Sequence, residues 1–318
     1  MMKRALGAVR SCLVSSKSIR LISNLAGRLV EDDSLVKWKH LRTVSPYHKQ
    51  KNRKREGKVL LEGDRLLIDA LEARGSLIPE VVMVTPEALD RHGQRLVSLL
   101  EGLPPDVVTL GSADALASVS LTKNHQGALA VLPCKPELPW PATPSCCVVL
   151  DGVSQPGNLG ALIRTGAALG ADSIVLIACG DVWSPKALKA SLGASFRIPI
   201  AKADTWQEAK KTLIQNHSLK VYAADGAAAT EVADVDFTVP FALVIGSEAN
   251  GLSHEVRSDI GIDAVGVGLV LASGVDSLNA AAAGMSDWLT KLTRPDLTSS
   301  PPGHPPRGCY PWRSQSAA

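Results

Sequence analysis

CCVVLDGVSQPGNLGALIRTGAALGADSIVLIA, residues 146–178, is the stretch whose reading decides the fold. Its two ends, 147–150 and 173–178, are short apolar runs rich in Val and Ile, the composition of strands buried on both faces. Between them, 158–169 carries Leu, Ile and Ala at helical spacing. Strand, polar glycine loop, helix and strand in that order make a βαβ unit, and such a unit implies parallel strands. The same alternation continues downstream. Runs 219–223 and 241–245 read as strands, and 185–192, 205–216 and 277–292 as helices. Residues 146–292 are therefore expected to form an α/β domain, a parallel sheet with helices on both faces.

Upstream, 59–61, 81–84, 107–108 and 128–132 are strand-like, and 64–74 and 86–100 are helical. They make a smaller α/β unit over 59–133. A linker over 134–145 follows, with Pro136, Pro139, Pro141 and Pro144. Residues 293–318, rich in Pro and Ser, are expected to be a disordered tail.

Of 318 residues, 45% are hydrophobic and 20% charged, an ordinary globular balance. No apolar run reaches the roughly 18 residues of a membrane span, and the longest, 266–275, is far too short. Cys12, Cys134, Cys146, Cys147, Cys179 and Cys309 show neither C-x-x-C nor paired His spacing, which speaks against a disulfide framework and a metal site and for a reducing compartment. Charge is uneven. Residues 1–58 carry 15 Lys and Arg against 4 Asp and Glu, a net +11, whereas 59–318 carry 19 against 27, a net −8. Residues 1–30 are basic, Ser-rich and free of acids, the make-up of an organellar transit peptide, mitochondrial rather than chloroplast; a plain basic tail is the alternative. Residues 31–58 form a basic arm that could neutralise phosphates, or a solvated linker.

The chain lacks G-x-G-x-x-G, a P-loop, H-E-x-x-H and G-x-S-x-G. Three polar, glycine-bearing loops remain, each at the end of a strand, where open parallel sheets bind ligands. In the first, 151–158, Asn158 is expected to cap the helix, and Arg164 lies further along an otherwise apolar helix. A cation there needs an anionic ligand or an internal partner, for which Asp172 is a candidate. In the second, 246–253, Gly246 and Gly251 admit close approach of a ligand to the backbone. Glu248 between them could attract a cationic ligand or cap the next helix. The third, 269–279, leads from Leu269, Val270 and Leu271 to Ser277, Leu278 and Asn279, then to the small-residue run 280–284.

PGNLGALIRT, VIGSEANGLS and DSLNAAAA, in this order and spacing, resemble the three motifs of the SpoU family, RNA ribose 2′-O-methyltransferases of the SPOUT superfamily. WSPKALKASLGASFRIPI (183–200) is also similar to the family, while LLEGDRLLIDAL (60–71) and LTKNHQGALAVL (121–132) resemble its RNA-binding domain of the ribosomal protein L30e type. Leu269-Val270-Leu271 departs from the usual Ile-Pro-Met. The resemblance implies a trefoil-knotted, homodimeric domain that binds S-adenosylmethionine. It assigns cofactor contacts to Gly246, Gly251, Leu269, Leu271 and Leu278, and the catalytic pocket to Asn158, Arg164, Glu248, Ser277 and Asn279. A guanidinium keeps its proton in proteins, so Arg164 suits charge stabilisation better than proton abstraction. The expected substrate is organellar ribosomal RNA. The alternatives are a tRNA 2′-O-methyltransferase, methylation of a base, or a non-catalytic RNA-binding protein of the same fold.

Overall fold

The computed structural model describes residues 30–31, 44–73, 78–104, 106–120, 125–133, 138–231 and 234–268. Two sheets organise them.

The first domain comprises β1 (Val30–Glu31), α1 (Gln50–Glu56), β2 (Lys58–Glu62), α2 (Asp64–Ala73), β3 (Val81–Val84), α3 (Pro86–His92), α4 (Gln94–Glu101), β4 (Val108–Leu110), α5 (Ala113–Ala117) and β5 (Ala128–Pro133). Its sheet runs β1-β4-β3-β5-β2, with β5 antiparallel to both neighbours and the other pairs parallel. Alternation along the strands sends side chains to two cores. Val59, Leu61, Val82 and Val84 pack under α2 and α4, and Leu60, Val81 and Met83 pack under Val44, Tyr47 and Leu116.

The structure differs from expectation in two places here. The segment 31–58, read as a basic arm or linker, is folded over 44–57: Val44 and Tyr47 are buried in a core, and α1 ends at Gly57 in the left-handed region. Apolar Val44 and Tyr47 supply the anchor that a count of cations overlooks. The single helix expected over 86–100 is two, because Gly93 takes φ 56° and ψ −138°, a conformation that interrupts the helical ladder and that glycine adopts readily.

The second domain comprises β6 (Cys146–Asp151), α6 (Pro156–Ala168), β7 (Ser173–Ile177), α7 (Pro185–Ser191), β8 (Ile200–Ala203), α8 (Trp206–Lys210), β9 (Lys220–Ala224), β10 (Phe241–Gly246), α9 (His254–Asp259) and β11 (Ala264–Val267). All six strands are parallel, in the order β11-β9-β10-β6-β7-β8. Val148, Leu150, Ile174 and Leu243 face α6, and Cys147, Val149, Val175 and Val244 face α8 and α9. Both faces are buried, as the unbroken apolar runs require. Short β8 and β11 and helix α9 had no clear periodicity in sequence. The expected helix 277–292, the path needed for a knot, and the tail lie outside the described residues.

The domains share a core. Leu188 of α7 and Phe196 of the turn that follows are buried among Leu61, Leu67 and Leu89 of the first domain. Polar contacts rim this junction: Arg53 with Asp181 at 3.2 Å and Arg197 with Asp69 at 3.3 Å. Burial raises the Asp69 carboxyl above its ordinary pKa, and the Arg197 guanidinium opposes that shift.

Candidate active site

Strand order fixes where a ligand fits. From β6 the chain winds outward through β7 to β8, then crosses to build β9, β10 and β11 on the other side of β6. β6 and β10 are neighbours whose connections run in opposite directions, the switch point at which open α/β sheets form their crevice. Asp151 and Gly246, the last residues of the two strands, are register partners, so the first and second loops emerge side by side.

The second loop closes on itself. Gly251 N–H donates to the Ser247 carbonyl at 2.8 Å, Ser247 N–H donates to the Gly251 carbonyl at 3.0 Å, and Asn250 N–H donates to Ser247 Oγ at 3.2 Å. Gly251 sits at φ 66°, where a side chain is strained. Gly246 has a different reason to be glycine. A Cβ there would lie 2.2 Å from the Gly251 carbonyl carbon and 2.4 Å from both its oxygen and the Leu252 nitrogen. Asp151, 3% exposed, accepts the Ser253 N–H at 2.6 Å and binds the base of this loop to β6. Sequence reasoning assigned Asp151 no role; an acid closing an apolar strand was the signal available.

The first loop enters α6 two residues earlier than expected. Pro156 occupies N1, where its fixed φ suits a helix and its missing N–H costs nothing. The N-cap is Gln155, which makes no side-chain bond, so Asn158 is not the cap. Asn158 lies inside the first turn, with its amide free to cross the crevice, and it donates to Glu248 Oε2. Glu248 does not cap α9 either. Ser253 does, its Oγ accepting from Val256 N–H at 3.4 Å.

Arg164 lies nearly two turns beyond Asn158 on α6, half-buried, with no hydrogen bond or ion pair among the described residues. The alternative of a pair with Asp172 is not realised. That carboxylate accepts from Ser145 N–H, Ser145 Oγ, Cys146 N–H and Ser173 Oγ at 2.6–3.1 Å. α6 is held against α7 at Gly160, where a Cβ would meet the Ala187 carbonyl at 2.2 Å.

The structure thus brings Asn158 to Glu248 and Gly246 to Gly251, and places Arg164 further along the helix of Asn158. Ser277, Asn279, Leu269, Leu271 and Leu278 lie outside the described residues. Among the described residues no cluster of His, Cys, Asp or Glu could hold a metal. Burial pushes the Cys179 thiol, beside the first loop, up to about 11 and raises Cys147 further, so both stay thiols near neutral pH. The space a Cβ would need at Gly246 is taken by its own loop, and that at Gly251 faces the Arg257 guanidinium at 3.0 Å, so among the described residues these glycines shape the loop rather than leave main chain open.

Comparison with known proteins places the chain in a family. The SpoU rRNA Methylase family model matches residues 145–285, and that of an MRM3-like substrate binding domain matches residues 39–130. An uncharacterized tRNA/rRNA methyltransferase of Synechocystis sp. is 31% identical over 89% of this chain and 99% of its own length. The mitochondrial rRNA methyltransferase 3 of Mus musculus is 32% identical over 54% of this chain, which spans only 41% of that protein. An AdoMet-bound rRNA methyltransferase from Sinorhizobium meliloti superposes with a TM-score of 0.64, at 25% identity, over 83% of this chain and 97% of its own.

The family match and these relatives define an α/β RNA methyltransferase that uses S-adenosylmethionine. The chain belongs to the SpoU family, whose members act as RNA 2′-O-methyltransferases.

Proposed function

We propose that the protein methylates a ribose 2′-hydroxyl of ribosomal RNA inside the mitochondrion. The single observation that carries the catalytic part is the Asn158–Glu248 hydrogen bond, which joins the first two motif loops across the switch point. The rRNA part is supported by the names of the mouse and Sinorhizobium relatives and by the substrate-binding domain match. The mitochondrial part rests on the mouse relative and on the acid-free basic leader.

By the family resemblance, Gly246, Gly251, Leu269, Leu271 and Leu278 would hold S-adenosylmethionine, which would supply an electrophilic methyl group. The remaining difficulty is the hydroxyl, a poor nucleophile until its proton leaves. Glu248 accepts the Asn158 amide and ties the first motif loop to the second. Arg164, which has no internal counter-ion among the described residues, grips the phosphate next to the target and stabilises the developing alkoxide. Ser277 and Asn279 orient the ribose by hydrogen bonding. A homodimer through this domain is part of the proposal, motivated by the small-residue run 280–284 of the sequence.

Arg164→Ala tests the assignment. With purified protein and unmodified rRNA, methyl transfer should collapse while cofactor affinity, measured by calorimetry, stays near that of the parent. Turnover retained by the variant would remove Arg164 from the mechanism. Light scattering that finds a fully active monomer would remove the dimer.

A further inference from the structure

The cations of α1 and its approach are divided by the fold. Lys49, Lys51, Lys54 and Arg55 are exposed, but Arg53 points inward and is 5% exposed. Its Nη1 donates to the Tyr47 carbonyl at 2.8 Å, and its Nη2 donates to Asp181 Oδ2 at 3.2 Å. The other carboxylate oxygen of Asp181 accepts the Trp183 N–H at 3.1 Å. The two side chains are 6% and 9% exposed, so neither charge can turn to water when the other is lost.

Asp181 belongs to the loop that leaves β7, and this loop is locked to the first motif loop. Gly180 N–H donates to the Val153 carbonyl and Gly152 N–H to the Ile177 carbonyl, both at 2.9 Å. A Cβ on Gly180 would come within 2.5 Å of the Ser154 carbonyl oxygen. From Arg53 the contacts thus run through Asp181 and Gly180 to Ser154, at the entry of the helix that carries Asn158 and Arg164.

We infer that the Arg53–Asp181 pair is a positioning device that sets the register between the cationic face of α1 and the methyl-transfer loops. The inference rests on the RNA substrate proposed above. Phosphate contacts position a nucleic acid without reading its sequence. RNA lying across Lys51 and Lys54 is therefore delivered to Asn158 and Arg164 at whatever distance the α1-to-loop junction dictates. A misplacement of about 1 Å costs a positioned reaction as much as a hundredfold. Arg53 and Asp181 touch neither cofactor nor ribose; they act through the elements they join.

Asp181→Asn keeps the shape and the acceptor for Trp183 N–H while removing the charge. The assay uses the full chain, an in vitro transcribed, unmodified large-subunit rRNA and tritiated S-adenosylmethionine. The expected result is a kcat lowered about tenfold or more, with RNA and cofactor Kd within about twofold of the parent and partial recovery in Arg53→Lys when Asp181 is retained. Lys51→Gln with Lys54→Gln should put its loss on binding instead, raising the RNA Kd and lowering its salt dependence. A kcat per cofactor-binding site equal to the parent's, or a loss that falls wholly on RNA Kd, would overturn the inference. Hydrogen exchange separates it from the functional reading. In Asp181→Asn, segments 50–57 and 178–184 should exchange faster together, and unchanged protection in both would overturn the clamp even if the parent protein methylates no rRNA. Failure of the parent to methylate, with the clamp loosened as expected, would count against the substrate instead.

Discussion

Replacing Gly246 by alanine tests whether the second loop owes its shape to backbone contact. Three main-chain atoms lie within 2.4 Å of the added Cβ, and none is the end of a flexible side chain. The loop has to retreat, and the two bonds between Ser247 and Gly251 are the first to go. Losing them costs about 0.5–1.5 kcal/mol each, and overpacking adds about 1–3 kcal/mol. A total near 4 kcal/mol translates into a Tm lowered by about 8–16 °C for a domain of this size. Gly152→Ala is the control, because at φ 68° it is conformationally strained but its Cβ would meet nothing within 4 Å. That control should cost only about 1–2 kcal/mol. Scanning calorimetry gives both numbers, and titration with S-adenosylmethionine should show weakened binding in Gly246→Ala. A Tm within about 3 °C of the parent's, together with parental cofactor affinity, would refute the backbone-contact argument.

Glu248→Gln should slow methyl transfer about tenfold or more, because a charge-assisted bond to Asn158 becomes a neutral one, while stability stays within about 0.5 kcal/mol; single-turnover rates and denaturant midpoints check both halves. The hydrogen bond to Glu80, and after it the one to Tyr47, raises the Lys58 amine above its ordinary pKa. Its contribution is therefore complete below the unfolded value of about 10.4 and fades as pH climbs beyond it. The stability gap between parent and Lys58→Met, followed by urea denaturation, should narrow above about pH 10; a gap constant through pH 12 would contradict the assignment. Cys179, pushed up to about 11 by burial, should resist iodoacetamide at pH 8 and react faster as pH approaches 11, as peptide mass spectrometry would show.

Much of the architecture was legible because buried parallel strands announce themselves. The runs at 147–150, 174–177 and 241–245 have no polar interruption, and all three lie in strands. β8 was not visible, since Ile-Ala-Lys-Ala is a half-buried edge with too little apolar content to read. The site was legible as residue types at spacings and less so as roles. Asn158 looked like a cap because capping is what asparagine does before an apolar run, and only the prolyl residue two positions upstream moved the helix start. Asp151 and Arg53 were invisible for a common reason: each acts through a partner about 100 residues or more away in the chain, Ser253 and Asp181 respectively. No local pattern encodes such a pairing.

Leu188 and Phe196 complete the core of a domain whose own last strand ends at Pro133. During synthesis, then, the first domain leaves the ribosome with the apolar ground around Leu61, Leu67 and Leu89 still unfilled, and must wait for about sixty further residues to be translated. Until that moment it is a nascent chain with a sticky face, the kind of intermediate that chaperones bind and that aggregates when overproduced. A stop codon in the linker near residue 140 would make this state permanent. The two halves of the molecule are separate in sequence and in sheet, yet the earlier half matures only when the later one arrives.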